Sequence, residues 1–351
     1  MRKNVLIIGL FLLITCTISF VGVYKLLLEL QIRNVRVLGW EDDRYLWTVG
    51  MFGNTRWDVN QQVIINRTFQ PDKINQIFVS QEGEVWGYGH GVWLFETDEW
   101  IDVGEIPGLQ RGKIYDMVQT NDGTIWIATW HGFKTWNRET KMWESTKIDE
   151  PGWTMAQSFD DTLWFGLTED GVIQLQPDGQ LTHWTTSNGL VDNRVRSILP
   201  ANDGKIWIGT SSGVSHWSGH SWQSWNDLGY PDPDGLRIYK FLETKDGAIW
   251  ADTSQDFARW KQGQWTTYER SPFCSPNLTF LETDGGNLWA GCPTGLFRWT
   301  GSNWREYGQS EGANDNSFVN LIEGSNGILY AHIKNGLYQY NPDQDIWIPF
   351  P

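Results

Sequence analysis

Short apolar runs separated by tight-turn residues fill most of this 351-residue chain. The clearest stretch covers residues 195–225 and reads VRSILPANDGKIWIGTSSGVSHWSGHSWQSW. It holds four runs rich in β-branched and aromatic residues, each bounded by Gly, Asn, Asp or Ser, which tolerate the backbone of a tight turn. The pattern predicts four short strands that form one antiparallel meander.

The same unit recurs about every 40 residues, a period typical of the four-stranded β-propeller blade. An aromatic residue in the second run marks each unit, and the markers are Trp47, Trp86, Trp126, Trp164, Trp207, Trp250, Trp289 and Tyr330. We therefore predict an all-β fold, a single β-propeller of four-stranded antiparallel blades over residues 33–351. Eight blades fit the markers, and seven blades with an irregular first unit are the alternative.

Tryptophan is the outlier of the composition, with 24 copies. All but Trp40, Trp130 and Trp153 fall in register in second, third or fourth strands of the predicted units. A large flat ring can fill the gap between neighbouring twisted sheets, and its burial contributes on the order of 2 to 3 kcal/mol. We predict that the rings in register pack between blades.

Four segments carry a family resemblance: GLVDNRVRSI, NDGKIWIGTSSGV, NDGTIWIATWHGF and KDGAIW. They resemble the two-component regulator propeller repeat, which packs extracytoplasmic sensor regions of some bacterial signalling proteins. The resemblance covers nearly everything after residue 32 and implies a sensor-type propeller outside the cytoplasm. In that family a kinase and further sensor modules typically follow the propeller. Because this chain stops at Pro351, we expect no signalling output in cis.

The beginning of the chain predicts a membrane anchor. Residues 5–24 form an uncharged apolar run, and twenty helical residues span about 30 Å, the thickness of a bilayer core. We predict a short cytoplasmic tail at 1–4, a transmembrane signal-anchor helix at 5–24 and a stalk at 25–32. Arg2 and Lys3 favour a cytoplasmic N-terminus, so we expect a single-pass protein of the cell membrane with its propeller outside the cytoplasm.

Charge and missing motifs narrow the partners. The formal net charge of −15 repels nucleic acid and anionic lipid, so we expect no nucleic-acid partner and membrane contact only through residues 5–24. No HExxH, GxSxG or phosphate-cradling loop occurs, and we expect neither a metal nor a cofactor. The Asp-Gly pairs at Asp122, Asp203 and Asp246 fall where first hairpins turn, which favours turns over calcium ligands.

Two cysteines are placed to meet. Cys274 precedes the first strand of the unit of Trp289, and Cys292 ends its second strand. In an up-and-down blade, the start of the first strand and the end of the second lie on the same side. We predict a disulfide between them, which an oxidising compartment would permit.

Candidate chemistry falls on one face of the predicted ring, where the loops between second and third strands and the connections between blades lie. The candidate ligand-binding residues there are His90, Trp130, His131, Trp153, Glu169 and Asp170. Histidines beside carboxylates can bind a metal or act as acid and base, whereas aromatic rings can stack on a sugar or peptide. Each can also be an ordinary loop residue, and this is the favoured interpretation. The other histidines, His183, His216, His220 and His332, are interpreted as structural.

Two classes of function remain open. The first is a non-catalytic sensor-like or scaffolding module that binds a protein, peptide or carbohydrate, which the lack of a catalytic motif and of any assignable catalytic residue favours. The second is an enzyme of the lyase or glycosidase type that uses the loop histidines His90 and His131. Fold alone does not choose between them.

Overall fold

The computed structural model describes residues 36–41, 44–50, 53–59, 61, 63–68, 74–104, 112–225, 227–230, 236–269, 279–292, 295–312, 318–324, 327–333 and 336–350. The predicted tail, membrane segment and stalk lie outside these residues, and so do Cys274 and the side chain of Cys292. The disulfide therefore stays a prediction. Within the described ranges, no helix combines the length and the apolar character that a membrane span requires.

The described chain is all-β apart from two short 3-10 helices, η1 (Thr186–Asn188) and η2 (Gln309–Glu311). Consecutive sets of four strands each form one antiparallel sheet in sequence order, and we number these sheets 1 to 8. Sheets 1 to 4 contain β1 (Arg36–Trp40), β2 (Tyr45–Gly50), β3 (Gly53–Asp58), β4 (Val63–Thr68); β5 (Ile74–Val79), β6 (Val85–Gly89), β7 (Val92–Glu96), β8 (Glu99–Asp102); β9 (Ile114–Gln119), β10 (Ile125–Thr129), β11 (Gly132–Asn137), β12 (Met142–Ser145); β13 (Gly152–Gln157), β14 (Leu163–Leu167), β15 (Val172–Leu175) and β16 (Leu181–Trp184).

Sheets 5 to 8 contain β17 (Val195–Pro200), β18 (Ile206–Thr210), β19 (Gly213–Trp217), β20 (Trp222–Ser224); β21 (Ile238–Glu243), β22 (Ile249–Thr253), β23 (Asp256–Lys261), β24 (Gln264–Glu269); β25 (Thr279–Glu282), β26 (Leu288–Cys292), β27 (Gly295–Trp299), β28 (Trp304–Tyr307); β29 (Phe318–Glu323), β30 (Leu329–Ile333), β31 (Gly336–Asn341) and β32 (Ile346–Pro349). Each sequence marker lies in the second strand of one sheet. The prediction of a single all-β propeller with four-stranded antiparallel blades is confirmed.

Aromatic rings hold the neighbouring sheets together. The marker Trp86 of sheet 2 meets Trp136 and Trp143 of sheet 3 edge-on, with ring centroids 5.2 and 6.1 Å apart. Sheets 8 and 1 are joined in a similar way, since Trp57 lies 6.3 Å from Phe350. Marker contacts of the same kind with the following sheet are made by Trp47, Trp207, Trp250 and Trp289. Indole rings therefore pack between blades as predicted, and one such contact joins the last sheet of the propeller to the first.

Two positions depart from this pattern. Trp126 of sheet 3 is only half-buried and meets Phe165 at 5.4 Å, because Leu175 stands in sheet 4 where other sheets carry an aromatic third-strand residue. The repeat pattern predicts Trp225 in a fourth strand, but β20 ends at Ser224 and Trp225 follows it, buried at 1% exposure.

The strand order defines two faces of the ring. First strands of neighbouring sheets contact one another and are therefore innermost. The loops between second and third strands and the connections between sheets lie on one side, which we call the loop face. The turns between first and second strands and between third and fourth strands lie on the opposite side, which we call the turn face.

Candidate functional site

A β-bulge lies near the start of the first strand in each of sheets 2 to 6, at the loop face. At each bulge one residue of the first strand is skipped in the pairing register. Bulges re-aim the side chain they carry and are common beside functional sites. In sheets 2 to 6 the skipped residues, which we call the mouth ring, are Asn75, Tyr115, Trp153, Arg196 and Tyr239, and their side chains are half-buried. Sheet 8 has the same bulge and skips Val319.

Arg196 is the cation of the mouth ring. The centre of its guanidinium lies 5.3 Å from the ring of Trp153 and 5.7 Å from the ring of Tyr239, one in each neighbouring sheet. Its Nε donates to Ser211 Oγ at 2.8 Å. A guanidinium has five N–H donors, and within the described part of the chain no hydrogen bond is made by the other four. The mouth ring therefore offers a cation with donors to spare, flanked by two aromatic rings.

Burial sets the electrostatics of this arginine. Loss of water contact is the main cause that lowers the pKa of Arg196; Arg237 and Arg194 also lower it, whereas Tyr239 and Asp192 act to raise it. The side chain still carries its charge at neutral pH, because a guanidinium is not deprotonated in proteins. A half-buried cation in a protein of net charge −15 favours a ligand that brings a negative group.

The next register position of the same strands is polar in all five sheets, as Gln76, Asp116, Thr154, Ser197 and Lys240. Asp116 joins two sheets, because its Oδ2 accepts from the main-chain N of Met155 at 3.0 Å and from Thr154 Oγ1 at 3.2 Å.

Burial dominates the protonation of Asp116. It raises the pKa of this carboxyl and so favours the uncharged form. Lys240 is exposed, and Asp252 and Asp116 both favour its charged form. The innermost strands thus carry polar groups directly beneath the mouth ring.

The six candidates from the sequence all lie at the loop face. Trp153 belongs to the mouth ring, and the others occupy loops between second and third strands: His90 in sheet 2, Trp130 and His131 in sheet 3, Glu169 and Asp170 in sheet 4. Trp130 is 52% exposed, and the other loop residues are exposed as well.

The structure brings only some of these candidates into contact with other groups. Trp153 meets Arg196, and Asp170 meets His183 of its own sheet, whose Nε2 lies 2.5 Å from the Asp170 main-chain oxygen and 3.6 Å from its Oδ2. Among the described contacts, no hydrogen bond or ion pair joins His90 to His131. The main-chain N of His131 donates to Thr129 Oγ1 at 3.0 Å, which fixes its loop.

The sequence did not indicate four residues of this site: Arg196, Tyr239, Asp116 and Lys240. Alternation along a strand does not reveal a bulge, so the residue that the bulge aims at the mouth looks like any other strand residue. A usable signal was the polar residue that recurs in first strands, since an apolar run interrupted at one register position indicates a special environment.

The aspartates of the Asp-Gly pairs make the hydrogen bonds of turn residues. Asp122, Asp203 and Asp246 accept hydrogen bonds from main-chain N–H groups two residues later, at 3.0, 3.2 and 3.1 Å, as turn residues do. Over the described ranges, no three His, Cys, Asp or Glu side chains are grouped so that they could hold a metal ion.

A family profile described as "Two component regulator propeller" matches residues 108–131 and 189–212. These segments are two-component regulator propeller repeats. They contain the phrases NDGTIWIATWH and NDGKIWIGT, and in each the second-strand marker follows the Asp-Gly turn. No curated protein matches the sequence.

Solved structures share the fold. Two are extracellular domains of putative hybrid two component systems from B. thetaiotaomicron, with TM-scores of 0.62 and 0.54 at 19% and 18% identity. The matches cover 79% and 88% of this chain, but only 39% and 51% of those chains. A virginiamycin B lyase from Staphylococcus aureus gives a TM-score of 0.55 at 15% identity, over 74% of this chain and 92% of that one. At such identities the likeness shows the fold alone.

Proposed function

We propose that the repeat-bearing propeller is a sensor-like, non-catalytic binding module that takes its ligand at the loop face. The observation that carries this proposal is Arg196, held between Trp153 and Tyr239 at the mouth with unused N–H donors. The two regulator-propeller repeats and the likeness to extracellular domains of two component systems support the same class of function.

The chemistry of the mouth favours a ligand with a carboxylate or another acidic group. A planar guanidinium binds such a group through paired N–H donors, and the flanking rings offer flat apolar surfaces beside it. The surrounding loop residues would extend the contact to a larger partner, such as a peptide, a protein or an acidic glycan. They are His90, Trp130, His131, Glu169 and Asp170.

The proposed location is outside the cytoplasm, with the chain anchored in the cell membrane through residues 5–24. The apolar run and its flanking positive charges support the anchor. A protease added to intact cells should then degrade the propeller, whereas protection of the propeller in intact cells, lost only after lysis, would contradict this location. Counting free thiols in the unreduced chain tests the proposed Cys274–Cys292 disulfide, since three free thiols would exclude it.

The ligand site is tested by binding of the detergent-solubilised full chain to an array of acidic and neutral peptides and glycans. We expect acidic compounds to bind, and the Arg196→Met variant to bind them at least about tenfold more weakly, because a charge-assisted hydrogen bond is lost. Arg138→Met is the matched control. Arg138 is an exposed arginine of the turn face that pairs with Glu82 and Glu84.

Two outcomes would overturn the proposal. Equal binding by the parent and by Arg196→Met would show that the ligand does not bind at the mouth ring. Turnover of a bound compound that is lost in the His90→Ala/His131→Ala double variant, with binding retained, would make the protein an enzyme of the lyase or glycosidase class instead.

A further inference from the structure

One kind of hydrogen bond recurs between neighbouring sheets on the turn face. A main-chain N–H in the first hairpin turn of one sheet donates to the side chain that ends the first strand of the following sheet. The donor–acceptor pairs are Gln81–Gln119, Asn121–Gln157, Asn202–Glu243, Lys245–Glu282 and Asp284–Glu323, at 2.6, 2.8, 2.8, 2.6 and 2.8 Å. We call this bond the clasp.

The clasp does not form between sheets 4 and 5. Pro200 ends the first strand of sheet 5, and its side chain has no hydrogen-bond acceptor. Phe159 holds the donor position in sheet 4, and its ring is 71% exposed. Val79 and Trp40 end the first strands of sheets 2 and 1, and neither a valine nor a tryptophan side chain can accept this bond either. The turns opposite them lie partly outside the described residues, so the seam between sheets 4 and 5 is the one without a clasp whose two sides are both described.

A groove opens at this seam, with a cavity volume of about 700 Å³. Its aromatic lining includes Phe159 and the indoles of Trp184 and Trp217, whose centroids lie 4.9 Å apart. Its polar lining includes Asp160 and the amides of Gln174 and Gln176. The Trp184 indole N–H donates to Gln174 Oε1 at 3.0 Å, which fixes that amide within the groove.

The groove continues toward sheet 3. A second cavity of about 550 Å³ lies between sheets 3 and 4, and Gln176 and Pro177 line both cavities. The turn that carries these two residues separates the cavities, so a ligand longer than one sugar ring could contact both.

Charge restricts the ligands that this groove accepts. Among its described lining residues there is no lysine or arginine. Burial acts to raise the pKa of Asp160, but hydrogen bonds from Ser158 Oγ at 2.6 Å and from the main-chain N of Thr162 at 3.2 Å outweigh it, so the pKa lies below its usual value. Asp160 is thus ionised at neutral pH, and an anionic ligand would be repelled.

Hydrogen bonding restricts the ligand further. A purely apolar molecule, or a quaternary ammonium ion, would cover the amide of Gln176 without offering it a partner, and burying an unpaired amide is unfavourable. A sugar ring presents C–H groups to an aromatic ring and hydroxyls, which both donate and accept, to amides and carboxylates. A volume of about 700 Å³ is also within the usual range for a small-molecule site, roughly 300 to 1,000 Å³.

We propose that the groove between sheets 4 and 5, open where Pro200 replaces the clasp acceptor, is a binding site for a neutral carbohydrate. It lies on the turn face, opposite the mouth ring, and does not depend on the ligand proposed there.

The test uses the full chain in detergent on an array of neutral and acidic glycans. The neutral glycan with the strongest signal is then titrated by calorimetry. We expect saturable binding of at least one neutral glycan, and at least about tenfold weaker binding by Phe159→Ala, because the exposed ring makes a stacking surface without supporting the core. Ile101→Ala is the matched control. Ile101 is 42% exposed on the outer strand of sheet 2, and its loss should leave binding unchanged.

A second variant tests the role of the seam. Pro200→Gln places at this position the same side chain that accepts the clasp as Gln119 and Gln157, and it should narrow the groove and weaken binding of the same glycan at least about threefold. Its thermal unfolding temperature should equal or exceed that of the parent, which separates a closed groove from a damaged fold.

Several results would overturn the proposal. These are an array on which no neutral glycan binds, glycan binding unaffected by both Phe159→Ala and Pro200→Gln, and preferential binding of choline or a peptide in the groove. Arg196→Met should not change neutral-glycan binding. If Arg196→Met abolished it while Phe159→Ala did not, the sugar would bind at the loop face and the groove would be excluded.

Discussion

Removal of one wedge between sheets should destabilise the whole ring. Trp207 of sheet 5 is 2% exposed, and its ring centroid lies 5.7 Å from Trp260 and 5.8 Å from Trp265 in sheet 6. Phe241, on the first strand of that sheet, lies 6.2 Å away. Trp207→Ala would therefore leave a cavity walled by two sheets whose backbones are held by their own strand pairing.

The expected cost is about 3 to 5 kcal/mol, because the variant loses the burial of the indole and its neighbours collapse only partly into the cavity. A folded protein is typically stable by about 5 to 15 kcal/mol, so this loss is a large fraction of the total. Trp207→Phe should cost less, because a smaller ring still fills part of the gap.

Urea unfolding of the full chain in mild detergent, followed by far-ultraviolet circular dichroism, measures this cost. Fluorescence would be ambiguous in a chain with 24 tryptophans. Trp130→Ala is the matched control, since its ring is 52% exposed in a loop and its loss should change stability by less than about 0.5 kcal/mol. If Trp207→Ala cost less than about 1 kcal/mol, or no more than Trp130→Ala, the account of interblade wedges would be refuted.

Three further changes test other features by the same unfolding assay. Gly213→Ala should lower the free energy of unfolding by more than about 2 kcal/mol, because φ at Gly213 is +139° and a Cβ would lie 2.3 Å from the Trp225 ring. Gly219→Ala is the control: φ is +94° there, but the space around the Cβ is open, so the loss should be about 1 kcal/mol. Equal losses in the two variants would contradict the close approach to Trp225. Burial lowers the pKa of His216 below the value of 6.5 that it has in the unfolded chain. As the pH falls through and below 6.5, His216 is therefore protonated first in the unfolded chain, and the stability of the fold should decrease. If a His216→Gln variant showed the same decrease, this residue would be excluded as its cause. Pro200→Gln should add about 0.5 to 1.5 kcal/mol through a new clasp, and a loss of stability would show that the seam cannot accept it.

Much of the architecture was predictable because the periodic features act locally. An Asp-Gly pair favours a tight turn through contacts only a few residues long, and Asp122 accepts from the main-chain N of Thr124 in its own turn, as expected. The aromatic marker also predicts the second strand directly, because this strand is buried on both sides and a large apolar ring suits that environment. The prediction was wrong at Trp225, because the strand ends one residue earlier, at Ser224, and a serine does not show where strand pairing stops.

The candidate site was predictable only in part. Its face follows from strand order, and the loop residues His90, His131 and Glu169 lie on that face. The central pair of contacts was not predictable, because Trp153 and Arg196 are 43 positions apart in the chain and a bulge in each strand aims them at one another.

The sequence by itself determined the repeating unit, since strand, turn and marker each depend on residues a few positions apart. Only the tertiary structure decided what the repeats do to one another. In the sequence Pro200 is an ordinary end to a strand. Only the placement of sheet 4 beside it shows that the clasp acceptor is missing at this seam, where the exposed Phe159 lines a groove. The effect of a difference between two repeats depends on the interface that they form, because hydrogen bonds and packing act through space and not along the chain.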